Sequence, residues 1–90
     1  MKVEILGKRE DKIKMDNAAL LIQRAALSLN IPVEITLTHQ FAGFSGHSFN
    51  PTQTPIVFID GHIEFAGVSL QLPVVVKKLN EIRSRGSQTF

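Results

Sequence analysis

The chain has 90 residues, a length that supports one small domain with one modest hydrophobic core. Its apolar content of 43% is ordinary for a globular protein, and its net charge of +2 is too small to indicate a nucleic acid partner. The sequence contains no cysteine, which excludes thiol chemistry by this chain. No apolar run approaches the ~20 residues of a membrane span, and Met1 to Leu6 do not resemble a signal peptide. We therefore expect a cytoplasmic protein without a membrane partner.

The first half of the chain predicts a β-α-β unit. Lys2 to Leu6 alternates polar and apolar residues, which is typical of a short strand. The residues from Met15 to Asn30 place apolar side chains at helical spacing, and Pro32 prevents the helix from continuing. Val33 to Thr38 alternates again. It predicts a second strand, which a helical crossover would lay parallel to the first.

The second half of the chain predicts a β-hairpin followed by a helix. Ile56 to Ile59 is a continuous apolar run, typical of a strand that is buried on both faces. Asp60-Gly61 suits a tight type I′ turn, and His62 to Phe65 alternates as the returning strand. A helical pattern begins at Leu72, and Gly86 suits the position after its end.

The stretch from His39 to Gln53 lies between these two halves and has no periodicity. Loops of this length in small domains are usually functional or mobile. We expect Phe41 and Phe49 to anchor the loop to the core. Phe44, flanked by glycine and serine, is expected to be exposed and available to a partner. The glycines of the stretch argue against a helix here.

The order of elements is β-α-β-β-β-α. It predicts an α/β fold over residues 1–86, in which two parallel strands and an antiparallel hairpin form one four-stranded mixed sheet with helices packed on it. This arrangement is the thioredoxin-like core. Residues 87–90 are expected to form a frayed C-terminal tail.

Three segments resemble a known family. Lys2 to Gly7 looks like the first strand of the small archaeal and bacterial thioredoxin-like proteins called redox-active disulfide proteins, which are glutaredoxin-like. Thr54 to Gly61 resembles the family's cis-proline strand and hairpin, and Ile63 to Gly67 with the basic final helix resembles its ending. The resemblance implies a thioredoxin-like fold and a cis Thr54-Pro55 peptide bond. It also implies a groove between that bond and the start of the first helix.

The family's Cys-x-x-Cys motif falls between the first strand and the first helix, where this chain has no thiol. Counting from the first strand places Glu10 and Ile13 at the two cysteine positions. Counting back from the end of the helix places Lys12 and Met15 there instead. Disulfide exchange requires a thiolate, so both alignments predict that the chain is not a dithiol oxidoreductase.

The leading hypothesis is a binding module without catalytic or redox activity and without a cofactor. It would hold a peptide or protein partner near the cis-proline, because backbone groups beside such a proline can pair with an extended strand. Fold analogy supplies part of this hypothesis. The expected partner-binding residues are Lys12, Ile13, Met15, Phe44, Gln53, Thr54 and Pro55.

Two other classes of function remain open. The chain could form a homodimer or an assembly subunit through its first helix, because Leu20, Leu21 and Leu27 widen the apolar arc of that helix. It could also be an enzyme with non-thiol chemistry on a small anion bound at the turn from Lys8 to Lys14. Acidic residues nearly cancel the basic charge of that turn, so we expect a solvated connection there.

The histidines and serines predict no further site. His39, His47 and His62 are widely spaced and have no carboxylate at ligand spacing, so we expect no zinc. Ser45 and Ser48 lie near His47 but lack an acid to orient it, so we expect no hydrolase.

Overall fold

The chain folds as an α/β domain with one mixed four-stranded sheet and two α-helices, as the sequence predicts. The computed structural model describes residues 1–44, 49–67 and 69–87. Within those ranges no helix is both long and apolar enough to cross a membrane. The strands and α-helices are, in chain order, β1 (Lys2–Leu6), α1 (Lys12–Ser28), β2 (Glu34–Thr38), β3 (Ile56–Ile59), β4 (His62–Ala66) and α2 (Leu72–Ser87).

The sheet has the strand order β2-β1-β3-β4. β1 is parallel to β2 and antiparallel to β3, and β3 is antiparallel to β4. The predicted hairpin turn is confirmed, since Asp60 and Gly61 both have positive φ angles, of 50° and 85°. The Asp60 carboxylate also accepts a hydrogen bond from the backbone N–H of Lys2 at 2.9 Å, which ties the turn to β1.

Both helices pack on the same face of the sheet, where they contact each other and enclose the larger of two hydrophobic clusters. α1 and α2 contribute the apolar positions that recur at helical spacing, and the strands contribute alternate residues. The buried members of this cluster are Val3, Ile5, Met15, Ala18, Ile22, Ala25, Ala26, Val57, Ile59, Phe65, Val75 and Leu79.

The ends of the helices differ from the predicted bounds. α1 begins at Lys12, three residues before the predicted start, and is preceded by a short 3₁₀ helix at Arg9–Asp11. The pattern of apolar residues missed this first turn because its side chains are exposed. α1 ends before Asn30, whose φ of 54° is incompatible with continuing the helix. α2 runs through Gly86, so the prediction that Gly86 follows the helix is wrong. The tail was predicted at 87–90, but Ser87 belongs to α2, and residues 88–90 lie outside the described residues.

The opposite face of the sheet is covered by the stretch between β2 and β3. Phe44 packs against Phe58 with ring centroids 4.7 Å apart, and Phe49 meets the same ring edge-on at 6.3 Å. Leu6 and Ile56 complete this second cluster, and Phe41 packs against its edge. The prediction that Phe41 and Phe49 anchor the loop is confirmed.

Two predictions for this stretch are wrong. Phe44 was expected to be exposed, but it is only 8% exposed because its ring lies on Phe58. A helix was not expected, but 3₁₀ turns form at Phe41–Phe44 and Pro51–Gln53. A 3₁₀ turn is short enough to tolerate Gly43, and the first turn brings two phenylalanines to the sheet. The predictions that involve Ser45, Gly46, His47 and Ser48 concern residues outside the described ranges.

Truncating Phe44 tests whether the loop is part of the core. Phe44→Ala should lower the free energy of unfolding by about 3 kcal/mol, because it removes a buried aromatic ring and leaves a cavity. Val74→Ala, at a side chain on α2 that is 52% exposed, is the control and should change it by less than ~0.5 kcal/mol. Urea denaturation measures both. A loss below ~1 kcal/mol for Phe44→Ala would mean that the ring is not in the core.

Candidate functional site

A hydrogen bond joins the segment before α1 to the segment before β3. The Thr54 hydroxyl donates to the Asp11 carboxylate at 2.6 Å, across 43 residues of sequence. The same carboxylate oxygen accepts from the backbone N–H of Lys8 at 3.0 Å. Asp11 is the buried charged residue among the described residues, 9% exposed. This bond therefore fixes the position of Thr54 relative to the start of α1.

The surroundings of Asp11 favour its ionised form. The hydrogen bond from Thr54 is the main cause that lowers the pKa of the Asp11 carboxyl below its ordinary value. Burial opposes this effect, while the Lys8 backbone N–H and the positive charges of Lys14 and Lys8 reinforce it. The carboxylate is thus charged at neutral pH and serves as an acceptor, not as a proton donor.

A groove of about 560 Å³ lies between α1 and the ends of β3 and β4. One wall is the outer side of α1, and the other is formed by the start of β3 and the segment that follows β4. Most of the lining is apolar, and Lys14 is the charged side chain among the described residues that line it. The groove is lined by Lys14, Asn17, Ala18, Leu20, Leu21, Thr54, Pro55, Val57, Phe65, Gly67, Ser69 and Leu70.

One end of the groove depends on a glycine. The backbone N–H of Gly67 donates to the carbonyl oxygen of Pro55 at 3.1 Å. Gly67 has a φ of 64°, and a Cβ atom there would lie 2.9 Å from the carbonyl oxygen of Gln53. Only glycine lets these two backbone segments approach so closely. The contact places the segment after β4 beside Pro55.

The backbone at Thr54 is suited to pairing with another chain. Thr54 has an extended conformation, with φ −80° and ψ 152°, and its peptide bond to Pro55 is cis. Among the described residues, no group donates a hydrogen bond to the Thr54 carbonyl oxygen. An extended segment in the groove could supply that donor.

The structure brings only part of the predicted site together. Thr54 and Pro55 line the groove, and Gln53 is exposed at its end beside Gly67. Lys12 and Ile13 are exposed on the first turn of α1 but do not line the groove.

Two predicted partner-binding residues are corrected. Met15 is 1% exposed and belongs to the core, because its side chain packs against Gly7 on the inner face of α1. Phe44 lies on the opposite face of the sheet from the helices. Neither side chain is available to a partner in this structure.

Several residues in or beside the groove were missed. Asp11 was interpreted as part of a solvated connection, which holds for Lys8 and Glu10 but not for Asp11. Aspartate is favoured immediately before a helix, and that preference was the available signal. Asp11 does not line the groove, but Leu21 and Ser69 do. They could not have been found without knowing how α1 packs beside β3.

In the described part of the chain, which does not include His47, no three His, Asp or Glu side chains converge to form a metal site. His39 instead places Nδ1 2.8 Å from the carbonyl oxygen of Gly7, at the end of β1. Its role there is to hold two strand ends together.

Comparison with known proteins identified no relative. No family model matches the chain, no curated protein matches it, and no solved structure matches it.

Removing the Thr54 hydroxyl should change both the titration of Asp11 and the stability of the fold. Thr54→Val should raise the pKa of the Asp11 carboxyl towards its ordinary value of 3.8, as measured by NMR of the side-chain carboxyl. It should also lower the free energy of unfolding at pH 7 by about 1–2 kcal/mol, because a hydrogen bond to a charged group is lost.

The pH dependence has a defined sign. A carboxyl whose pKa is lowered on folding stabilises the fold above its ordinary pKa, and this contribution is lost as the pH falls through the folded-state pKa. Thr54→Val should therefore flatten the loss of stability below pH 3.8. Thr54→Ser keeps the hydroxyl and is the matched control. An unchanged Asp11 pKa in Thr54→Val would contradict this assignment.

Proposed function

We propose that the chain is a thioredoxin-like binding module without dithiol chemistry, and that it holds an extended peptide segment of a partner protein in the groove beside Pro55. The observation that carries the proposal is the groove itself. It places an apolar lining and one lysine next to the extended backbone of Thr54. The carbonyl oxygen of Thr54 accepts no hydrogen bond from the described residues.

The fold assignment is supported by the arrangement of the elements. The β1-α1-β2 unit has parallel strands, the β3-β4 hairpin is antiparallel, and β3 lies next to β1. A cis Thr54-Pro55 bond immediately precedes β3, as the resemblance implies. The start of α1 lies beside that bond through the Asp11 contact. The absence of cysteine excludes disulfide exchange by this chain but leaves the groove intact.

The chemistry of the lining defines the occupant. A volume of about 560 Å³ is within the range of ordinary binding pockets, which is roughly 300–1,000 Å³. Leu21, Pro55 and Leu70 offer apolar surface, so the bound segment should carry at least one large apolar side chain. Lys14 at the groove wall favours a carboxylate on the same segment.

The test is selection from a random-sequence peptide library displayed on phage, with the purified chain as the target. We expect selected peptides that combine an apolar residue with Asp or Glu. In ¹⁵N-labelled protein, adding such a peptide should shift the backbone amide signals of Thr54 and Gly67 and leave those of β2 unchanged. Shifts confined to β2, or selected peptides rich in Lys and Arg, would contradict the proposal.

A variant that fills the groove, compared with a matched control variant elsewhere on the surface, tests where the peptide binds. Ser69 is exposed and lines the groove, so Ser69→Trp should weaken binding of a selected peptide about tenfold or more, equivalent to ~1.4 kcal/mol. Thr36→Trp places the same side chain on the exposed edge strand β2 and should leave affinity unchanged. Equal affinities for the two variants would place the peptide outside the groove.

A further inference from the structure

The outer face of α1 carries three large apolar side chains that are exposed within the described residues. Ile13, Leu20 and Leu27 are 76%, 46% and 78% exposed. They are spaced by seven residues, which is close to two helical turns, so they lie along one line of the helix. We call this line the Ile13–Leu27 stripe. It spans about 21 Å at a rise of 1.5 Å per residue.

The stripe is separate from the core. The inner face of α1 supplies Met15, Ala18 and Ile22 to the cluster beneath the helices. A seven-residue repeat of apolar residues is the spacing at which two helices pack along each other. The stripe therefore has the spacing of one of the two seam positions in such a helix pair.

The polar residues around Leu20 are arranged in complementary pairs. Asp16 lies four residues before Leu20, and Arg24 lies four residues after it; both are exposed. Ile13 and Leu27 lie seven residues before and after it. Consider two copies of α1 that run antiparallel about a two-fold axis at Leu20. A residue that lies a given number of positions before Leu20 in one copy then faces the residue that lies the same number of positions after Leu20 in the other copy.

This arrangement determines which side chains meet. In the antiparallel pair, Ile13 meets Leu27 of the second copy, and Leu20 meets itself. Asp16 comes within reach of Arg24 of the second copy, and symmetry repeats this pair. A parallel pair would instead set Asp16 against Asp16 and Arg24 against Arg24, which repel.

We propose that the Ile13–Leu27 stripe is a self-association surface, and that two copies of the chain pair through antiparallel α1 helices centred on Leu20. The proposal does not depend on peptide binding. Leu20 borders both surfaces, but Ile13 and Leu27 do not line the groove, so the two surfaces can be altered separately.

The first measurement is sedimentation over a range of concentrations. The interface has three apolar side chains per copy, so we expect a reversible dimer whose fraction rises with concentration. Leu27→Glu should weaken dimerisation about tenfold or more while leaving binding of a groove-selected peptide unchanged. A wild-type monomer at every concentration would overturn the proposal, whatever the peptide experiments give.

The orientation is tested by cross-linking, for which the chain is well suited because it has no cysteine of its own. A short bifunctional maleimide should link Leu20→Cys to itself. It should also link Ile13→Cys to Leu27→Cys in a mixture, but neither of these to itself. Ile63→Cys, on the edge strand β4, is the control and should remain unlinked. Self-linking of both Ile13→Cys and Leu27→Cys without linking in the mixture would indicate a parallel pair and overturn the proposal.

Charge reversal tests the same register independently. Arg24→Asp should weaken dimerisation about tenfold, because the new aspartate of each copy would face Asp16 of the other copy and the two carboxylates would repel. Adding Asp16→Arg should restore affinity to within about threefold of wild type. Asp16 also pairs with Lys12 at 3.2 Å within one copy, so thermal unfolding must verify that each variant folds. Failure of a folded double variant to recover would overturn the antiparallel register.

Discussion

The structure depends on the burial of β3 on both of its faces. Val57 and Ile59 face the helices, whereas Ile56 and Phe58 face the cluster of phenylalanines beneath the loop. All of the strand is buried, and β1 and β4 pair with its two edges. A strand in this position requires cover on both sides of the sheet. Phe41, Phe44 and Phe49 provide the second cover, which is why Phe44 belongs to the core.

The groove forms where this two-sided cover ends, at the start of β3. There the chain leaves the sheet through Thr54 and Pro55, and the Thr54 hydroxyl bonds to Asp11 at the start of α1. This bond and the close approach of Gly67 to Gln53 hold three backbone segments around one opening. These contacts position the half-buried Thr54 and Pro55 at the wall of the groove.

The sequence predicted the sheet well because its signals are local. Ile56 to Ile59 and Asp60-Gly61 specify a buried strand and its turn by residue type alone. The exposure of Phe44 was mispredicted because it was inferred from the small residues next to it in the sequence. Those neighbours carry no information about Phe58, the residue of β3 on which the ring packs. Met15 was placed at the site by counting along the helix, although its side chain faces the core. Asp11 owes its role to Thr54, 43 residues away, and no pattern within the chain encodes that contact.

The central claim is that a peptide occupies the groove beside Pro55. Isotope-filtered NOE spectroscopy on ¹³C-labelled protein with an unlabelled selected peptide tests it most directly, because it reports which protons of the two chains are adjacent. We expect intermolecular NOEs from the peptide backbone to the ring protons of Pro55 and to the methyl groups of Leu21. NOEs confined to Leu27, or to residues of β2, would place the peptide elsewhere and overturn the proposed binding site.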